Sequence, residues 1–198
     1  MLRIYIFILV LCCAGHIYGY LLQDMQRNIV KIITSTSHGN FGDWHDRQFC
    51  VKSAYAFGLQ IKVEQPVGRG DDTALNGVKL HCASRDETIH GSISSGVGQF
   101  GSWNSPTFCP SGQFMYKFRL KVESPQGTFG DDTTANDIVF ECSRIDSRGC
   151  NLTTVFAEGG AQWGDWGDWS DACPVNSAFC GIQTRVEAPT SGSDDGFK

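Results

Sequence analysis

One four-residue phrase occurs three times in this chain: Val63-Glu64-Gln65-Pro66, Val122-Glu123-Ser124-Pro125 and Val186-Glu187-Ala188-Pro189. Its glutamates lie 59 and then 64 positions apart. An acidic pair follows each proline: Asp71-Asp72, Asp131-Asp132 and Asp194-Asp195. Upstream of each phrase a tryptophan precedes a cysteine: Trp44 with Cys50, Trp103 with Cys109, Trp169 with Cys173. Agreement across so many columns defines three copies of one unit, about 28–85, 86–145 and 146–198. The residues before each phrase alternate. Phe57, Leu59, Ile61 and Val63 oppose Gly58, Gln60, Lys62 and Glu64. Tyr116, Phe118, Leu120 and Val122 oppose Lys117, Arg119, Lys121 and Glu123; Cys180, Ile182, Thr184 and Val186 oppose Gly181, Gln183, Arg185 and Glu187. A period of two over eight residues predicts a strand with one buried and one wet face. Shorter alternating runs follow at Val78, Leu80, Cys82 and at Ile138, Phe140, Cys142, and a β-branched or apolar stretch precedes each tryptophan.

The connections are rich in Gly, Ser, Asn and Pro, and no amphipathic helix stands out. A unit with one apolar face and few strands is not stable alone. Three units sharing one core around a pseudo-threefold axis would be, as the sides of a prism with Val63, Val122 and Val186 in matching places. The pattern by itself fits a closed barrel or a sandwich equally.

The chain opens with Arg3 and an apolar stretch from Ile4 to Ala14, too short to span a bilayer as a helix. A secretory leader over residues 1–19, cut at Gly15 or Gly19, is the expectation, with a buried N-terminal strand the other reading. Residues 20–198 then form one soluble domain. Losing Arg3 from the 16 basic residues leaves 15 against 21 acidic ones, with no Lys/Arg cluster. Nucleic acid and anionic membrane surfaces are therefore poor partners. Of nine cysteines, Cys12 and Cys13 would leave with the leader. Cys50, Cys82, Cys109, Cys142, Cys150, Cys173 and Cys180 remain, a density that implies disulfides and an oxidising compartment. Each of the pairs Cys50/Cys82 and Cys109/Cys142 brackets one repeat with spacings of 32 and 33, so these are expected bonds. Asn151-Leu152-Thr153 is an N-glycosylation sequon.

Gly70-Asp71-Asp72-Thr73-Ala74-Leu75-Asn76-Gly77-Val78-Lys79-Leu80-His81-Cys82 resembles the hallmark of the vitelline membrane outer layer proteins, and Gly130-Asp131-Asp132-Thr133-Thr134-Ala135-Asn136-Asp137 repeats it. The segment from Trp163 to Pro174 is similar to that family's third unit. The resemblance implies an all-β, β-prism I-like fold of three Greek-key sheets. It also implies secretion to an extracellular coat around an egg yolk, in the company of lysozyme and mucin-type glycoprotein. One member is credited with building N-acetylchito-oligosaccharides by transfer. In the family the third unit continues to a strand ending in two adjacent cysteines; here only Gly196-Phe197-Lys198 follows Asp194-Asp195. Cys173 and Cys180 are accordingly expected to lack their normal partners.

Candidate sites divide into aromatic and acidic sets. Trp44, Trp103 and Trp169 occupy the repeat's fixed column and are read as core plugs. Trp163 and Trp166 lie outside that column and are the candidates for stacking on sugar rings. The Asp-Asp-Thr loops and Asn76 and Asn136 read as turn formers. The histidines His38, His45, His81 and His90 show no ligand spacing, so neither metal nor cofactor is expected. No hydrolase, phosphate-loop or dinucleotide motif is present. Sugar chemistry would need paired carboxylates, drawn from Glu64, Glu123, Glu187, Asp72, Asp132, Asp195, Asp165 and Asp168. The leading expectation is a non-enzymatic coat protein that binds glycans or glycoproteins. A transferase would break the threefold symmetry at one site, and a lectin would repeat its site in each unit. The symmetry breaks mainly between Gly159 and Trp169.

Overall fold

A computed structural model describes residues 7–14, 28–36, 42–65, 74–123, 135–149 and 151–186. The three alternating runs are long strands: β5 (Ala54–Val63), β10 (Phe114–Val122) and β14 (Ser177–Val186). No helix occurs among the described residues. Each long strand is central to its own antiparallel sheet. In the first, β7 (Ile89–Ile93), β6 (Leu75–Ser84), β5 and β8 (Ser102–Trp103) lie in that order, with β9 (Thr107–Phe108) also on β5. In the second, the order is β12 (Thr153–Phe156), β11 (Ala135–Ser143), β10 and β13 (Asp165–Trp166). In the third, it is β2 (Ile29–Thr34), β1 (Phe7–Ala14), β14 and β3 (Asp43–Trp44), with β4 (Gln48–Phe49) on β14. The strands β5, β10 and β14 each touch the other two, so the three sheets enclose one axis as a β-prism.

The inward columns fill that axis. Leu59, Ile61, Phe118, Leu120 and Ile182 are buried in one cluster with Phe140 and Phe179. Phe118, Phe140 and Phe179 meet with ring centroids 5.7 to 6.2 Å apart. Burying a side chain of this size stabilises the fold by about 1.5–3 kcal/mol, which fixes the register of every strand that contributes one. Val63 and Val186 are buried in matching places, and Val122 packs against the cluster. Thr184, the polar member of its column, donates its Oγ1 hydrogen to the Gly96 carbonyl at 2.9 Å.

Sequence repeat and sheet do not coincide. The segment from Trp103 to Cys109, which belongs to the second unit, lies on β5 of the first sheet: Asn104 N–H donates to Ile61 O, and Cys109 N–H to Phe57 O. The other units shift in the same way, through Cys50 N–H to Cys180 O and Cys173 N–H to Tyr116 O. Each disulfide therefore joins two sheets. Cys50–Cys82 ties the third sheet to the first, Cys109–Cys142 the first to the second, and Cys12–Cys173 the second to the third.

That last bond bears on what was expected of Cys173, of Cys180 and of the N-terminal stretch. Cys173 is not unpartnered, and Cys180 is also disulfide-bonded. The apolar stretch read as a leader supplies β1, which pairs with β14 from Phe7↔Arg185 to Ala14↔Ser177 and with β2 on its other edge. Leu11 and Cys12 are fully buried there. An apolar run of eight residues fits a leader's core and a central strand equally, because neither shows an exposed face.

Asn76 and Asn136 are likewise not turn residues; both are fully buried at the starts of β6 and β11. Their carbonyls accept from Gly98 N–H and Ala161 N–H, tying the sheet to the segment that crosses it.

Peptide mapping of the full chain without reduction should recover Cys12 joined to Cys173; a free thiol at Cys173 would contradict the strand order of the third sheet. Replacing Cys109 and Cys142 together by Ala opens a loop spanning 33 positions. It should lower the stability measured by urea unfolding by on the order of 4 kcal/mol.

Candidate functional site

The outward column of each central strand holds a crossing segment in place. Lys62 donates to Gly98 O (2.8 Å) and Gln99 O (3.1 Å), Lys121 to Gln162 O (2.7 Å), and Arg185 Nε to Gly42 O (2.6 Å). Two residues earlier, Gln60 Nε2 donates to Asn104 O and Gln183 Nε2 to His45 O, both at 2.7 Å. Two residues earlier again stand Gly58 and Gly181. A Cβ on Gly58 would lie 2.4 Å from the Phe108 ring, and one on Gly181 2.7 Å from the Phe49 ring. The first and third sheets thus share one outer design: glycine under phenylalanine, glutamine to a carbonyl, cation to a carbonyl.

The second sheet keeps only the last of these. Lys117 stands in the glycine column and Arg119 in the glutamine column, while Ala172 precedes its cysteine where Phe49 and Phe108 precede theirs. Arg119 lies close to two indoles, with its guanidinium carbon 5.1 Å from the Trp166 ring and 4.8 Å from the Trp169 ring. Lys117 Nζ lies 4.7 Å from the Trp169 ring and pairs with Glu141 at 2.8 Å. Glu141 also accepts from the Tyr116 hydroxyl. Burial first, and then this carboxylate, push the Tyr116 pKa well above the ordinary phenol value. Arg119 faces Val139 across the strand pair and forms no ion pair with the described residues. Its Nε is buried without a hydrogen-bond partner.

The register reassigns the tryptophans. Trp44 pairs with Arg185, Trp103 with Lys62 and Trp166 with Lys121, so the repeat's column is Trp44, Trp103 and Trp166. Trp169, which the spacing to Cys173 puts in the column, is an extra residue near Arg119 and Lys117. A glycine with positive φ two places earlier marks each true member: Gly42 (φ 83°), Gly101 (φ 73°) and Gly164 (φ 78°). A Cβ on Gly101 or Gly164 would strike the backbone of the strand beneath within about 2.5 Å. The tandem Gly164-Asp165-Trp166-Gly167-Asp168-Trp169 offers this signal twice, which is why spacing to the cysteine misled. Nor do the tryptophans plug the prism. Trp44 is 46% exposed, Trp163 is 40% exposed, and Trp103, Trp166 and Trp169 are half-buried on outer faces.

Of the candidate carboxylates, Glu64 and Glu123 follow central strands of different sheets, and Asp165 and Asp168 are exposed on the segment crossing the second sheet. Asp72, Asp132, Glu187 and Asp195 lie outside the described residues, as do Cys150 and His38. Asn151 is exposed, with φ 53°, in the turn before β12. No cluster of three potential metal ligands occurs among the described residues.

One carboxyl that sequence reasoning passed over is perturbed. Asp137 sits opposite Lys121 on β11, where the first unit has Gly77 opposite Lys62. Gly160 lies directly over it; a Cβ there would be 2.2 Å from the carboxyl carbon. Burial raises its pKa to about 6, against the Ile138 N–H bond and Lys121, which both pull it down.

Three antiparallel sheets around one axis, stapled at their seams, define a disulfide-bonded β-prism protein. A family model described as Vitelline membrane outer layer protein I (VOMI) matches residues 31–197. A Homo sapiens protein named vitelline membrane outer layer protein 1 homolog is 39% identical over 175 residues, covering 87% of this chain and 81% of that protein. Its Mus musculus namesake is 36% identical over 187 residues, covering 92% and 86%. The chain belongs to the vitelline membrane outer layer protein family.

The Asp137 proton gives a sign that can be checked. Between about pH 4 and pH 6 the folded chain holds this proton and the unfolded chain releases it. Stability from this group is therefore greatest at the acid end and declines as pH rises through that window. In Asp137→Asn this component of the slope should vanish, and its melting temperature above pH 7 should exceed the wild type's.

Proposed function

We propose that the protein is a secreted component of an extracellular coat or matrix and that it works by binding glycans or glycoproteins. The family supports the coat role, since both relatives carry the vitelline membrane outer layer name. The disulfides between sheets favour an oxidising, extracellular setting. The observation that carries the binding reading is the position of the tryptophans. All five lie on outer surfaces, partly open to solvent, where an indole face can accept the C–H face of a sugar ring. Indoles serving only as core would be fully buried.

Partners of this kind are glycan-bearing coat components, among them mucin-type glycoproteins. Asn151 is exposed on the same molecule and is the site proposed to carry an N-linked glycan. A transferase would require two carboxyls flanking one glycosidic bond; of the described candidates Glu64 follows a strand of the first sheet, and Glu123, Asp165 and Asp168 lie at the second.

Binding of the full chain to a panel of immobilised saccharides and to a mucin-type glycoprotein tests the reading. Retention by part of the panel is expected, with loss on Trp44→Ala or Trp103→Ala if the repeated column provides the stacking surface. A chain that binds nothing on either surface refutes it. Peptide-N-glycosidase treatment of protein from secreting cells should sharpen its band to a lower mass, and Asn151→Gln should remove that shift.

A further inference from the structure

We propose that the outer face of the second sheet is a binding site for acidic saccharides, with Arg119 receiving the sugar's carboxylate or sulfate. The proposal rests on the glycan-binding reading above and assigns a ligand class to one place on the prism. Four observations carry it.

The first is the break in an otherwise repeated design. Gly58 and Gly181 lie under Phe108 and Phe49, which close the outer face of the first and third sheets. In the second sheet, Lys117 and Ala172 occupy those columns, so no phenylalanine lies over the strand. The second is the substitution of Arg119 for Gln60 and Gln183. Both glutamines spend their amide on a carbonyl of the crossing segment. Arg119 has no such bond and no ion pair among the described residues, and its Nε is buried unpaired.

The third is geometry. Trp166 and Trp169 both lie close to the guanidinium, with its carbon 5.1 and 4.8 Å from the ring centroids. Its N–H fork is the group offered to a ligand. That fork matches the two oxygens of a carboxylate or sulfate, whereas a neutral hydroxyl would use a single donor. The indoles restrict the side chain beforehand, so less freedom is lost on binding.

The fourth is charge. The chain as a whole is acidic, with a formal net charge of −5, yet Lys117, Arg119 and Lys121 are successive outward residues on β10. Lys117 is committed to Glu141 and Lys121 to backbone carbonyls. Among the described residues, Arg119 is the member of the row with neither partner. The surrounding indole surface favours an anion borne on a sugar ring over an anion on a flexible peptide.

The test uses the full chain and five immobilised probes: a sulfated oligosaccharide, a sialylated oligosaccharide, the same two stripped of their acidic groups, and poly-glutamate as a non-sugar polyanion. The acidic saccharides should bind at least about tenfold more tightly than the stripped ones, the gain expected of one bidentate charge-assisted pair. Arg119→Gln, which installs the residue already present in the other two sheets, should fold with an unchanged melting temperature and bind acidic and stripped probes alike. Arg119→Lys, which keeps the charge and loses the fork, should fall between. A ranking of sulfated against sialylated probe identifies which oxyanion the site prefers. Equal binding of acidic and stripped probes by the wild type, undiminished acid preference in Arg119→Gln, or equal binding of poly-glutamate would each overturn the proposal and leave the wider glycan reading standing. Failure to bind any saccharide would remove both.

Discussion

Every sheet in this protein has one apolar face, and that constraint organises the rest. An exposed face of leucine, isoleucine and phenylalanine costs more than a single sheet's hydrogen bonds return. The three faces are buried only against one another. The contact of Phe118, Phe140 and Phe179 draws strands from the second and third sheets to the axis, and Leu59 and Ile61 bring in the first. Once the inward column is fixed, the outward column is fixed by alternation. The positions of Lys62, Lys121 and Arg185, and hence of every crossing segment they anchor, follow from packing on the opposite side of the strand.

Much of this was legible in the residues. The period of two located β5, β10 and β14, and the repeat pointed to three units sharing one core, a pattern that a prism, a closed barrel or a sandwich would each satisfy. Two features were not legible. The crossing segments sit on the neighbouring unit's sheet, an exchange that leaves no trace in a repeat, since every unit is displaced by the same step. The third sheet's inner strand, β1, comes from a stretch whose hydrophobicity has two valid readings; an uninterrupted apolar run carries no alternation that would have distinguished them.

The candidate site was legible only as an irregularity. The interval from Gly159 to Trp169 departs visibly from the other units, but the decisive substitutions, Lys117 for glycine and Arg119 for glutamine, lie on a strand whose pattern is otherwise regular. Their meaning comes from what passes over them. In two sheets a phenylalanine and a carbonyl take up those positions, and in one sheet two indoles lie close to a cation instead. Doubling of the Gly-Asp-Trp tripeptide hid which tryptophan belonged to the repeat. It also provided the second ring near that cation.

The seam bonds form a closed circuit: third sheet to first, first to second, second to third. In a linear series of cross-links, cutting the chain beside a terminal sheet would free it. In a circuit no sheet is terminal, so each remains held from both sides after any single cut in a surface connection. A scaffold of this form tolerates nicking, and damage at one loop stays local. Durability then lies in the arrangement of the bonds more than in the strength of any one of them.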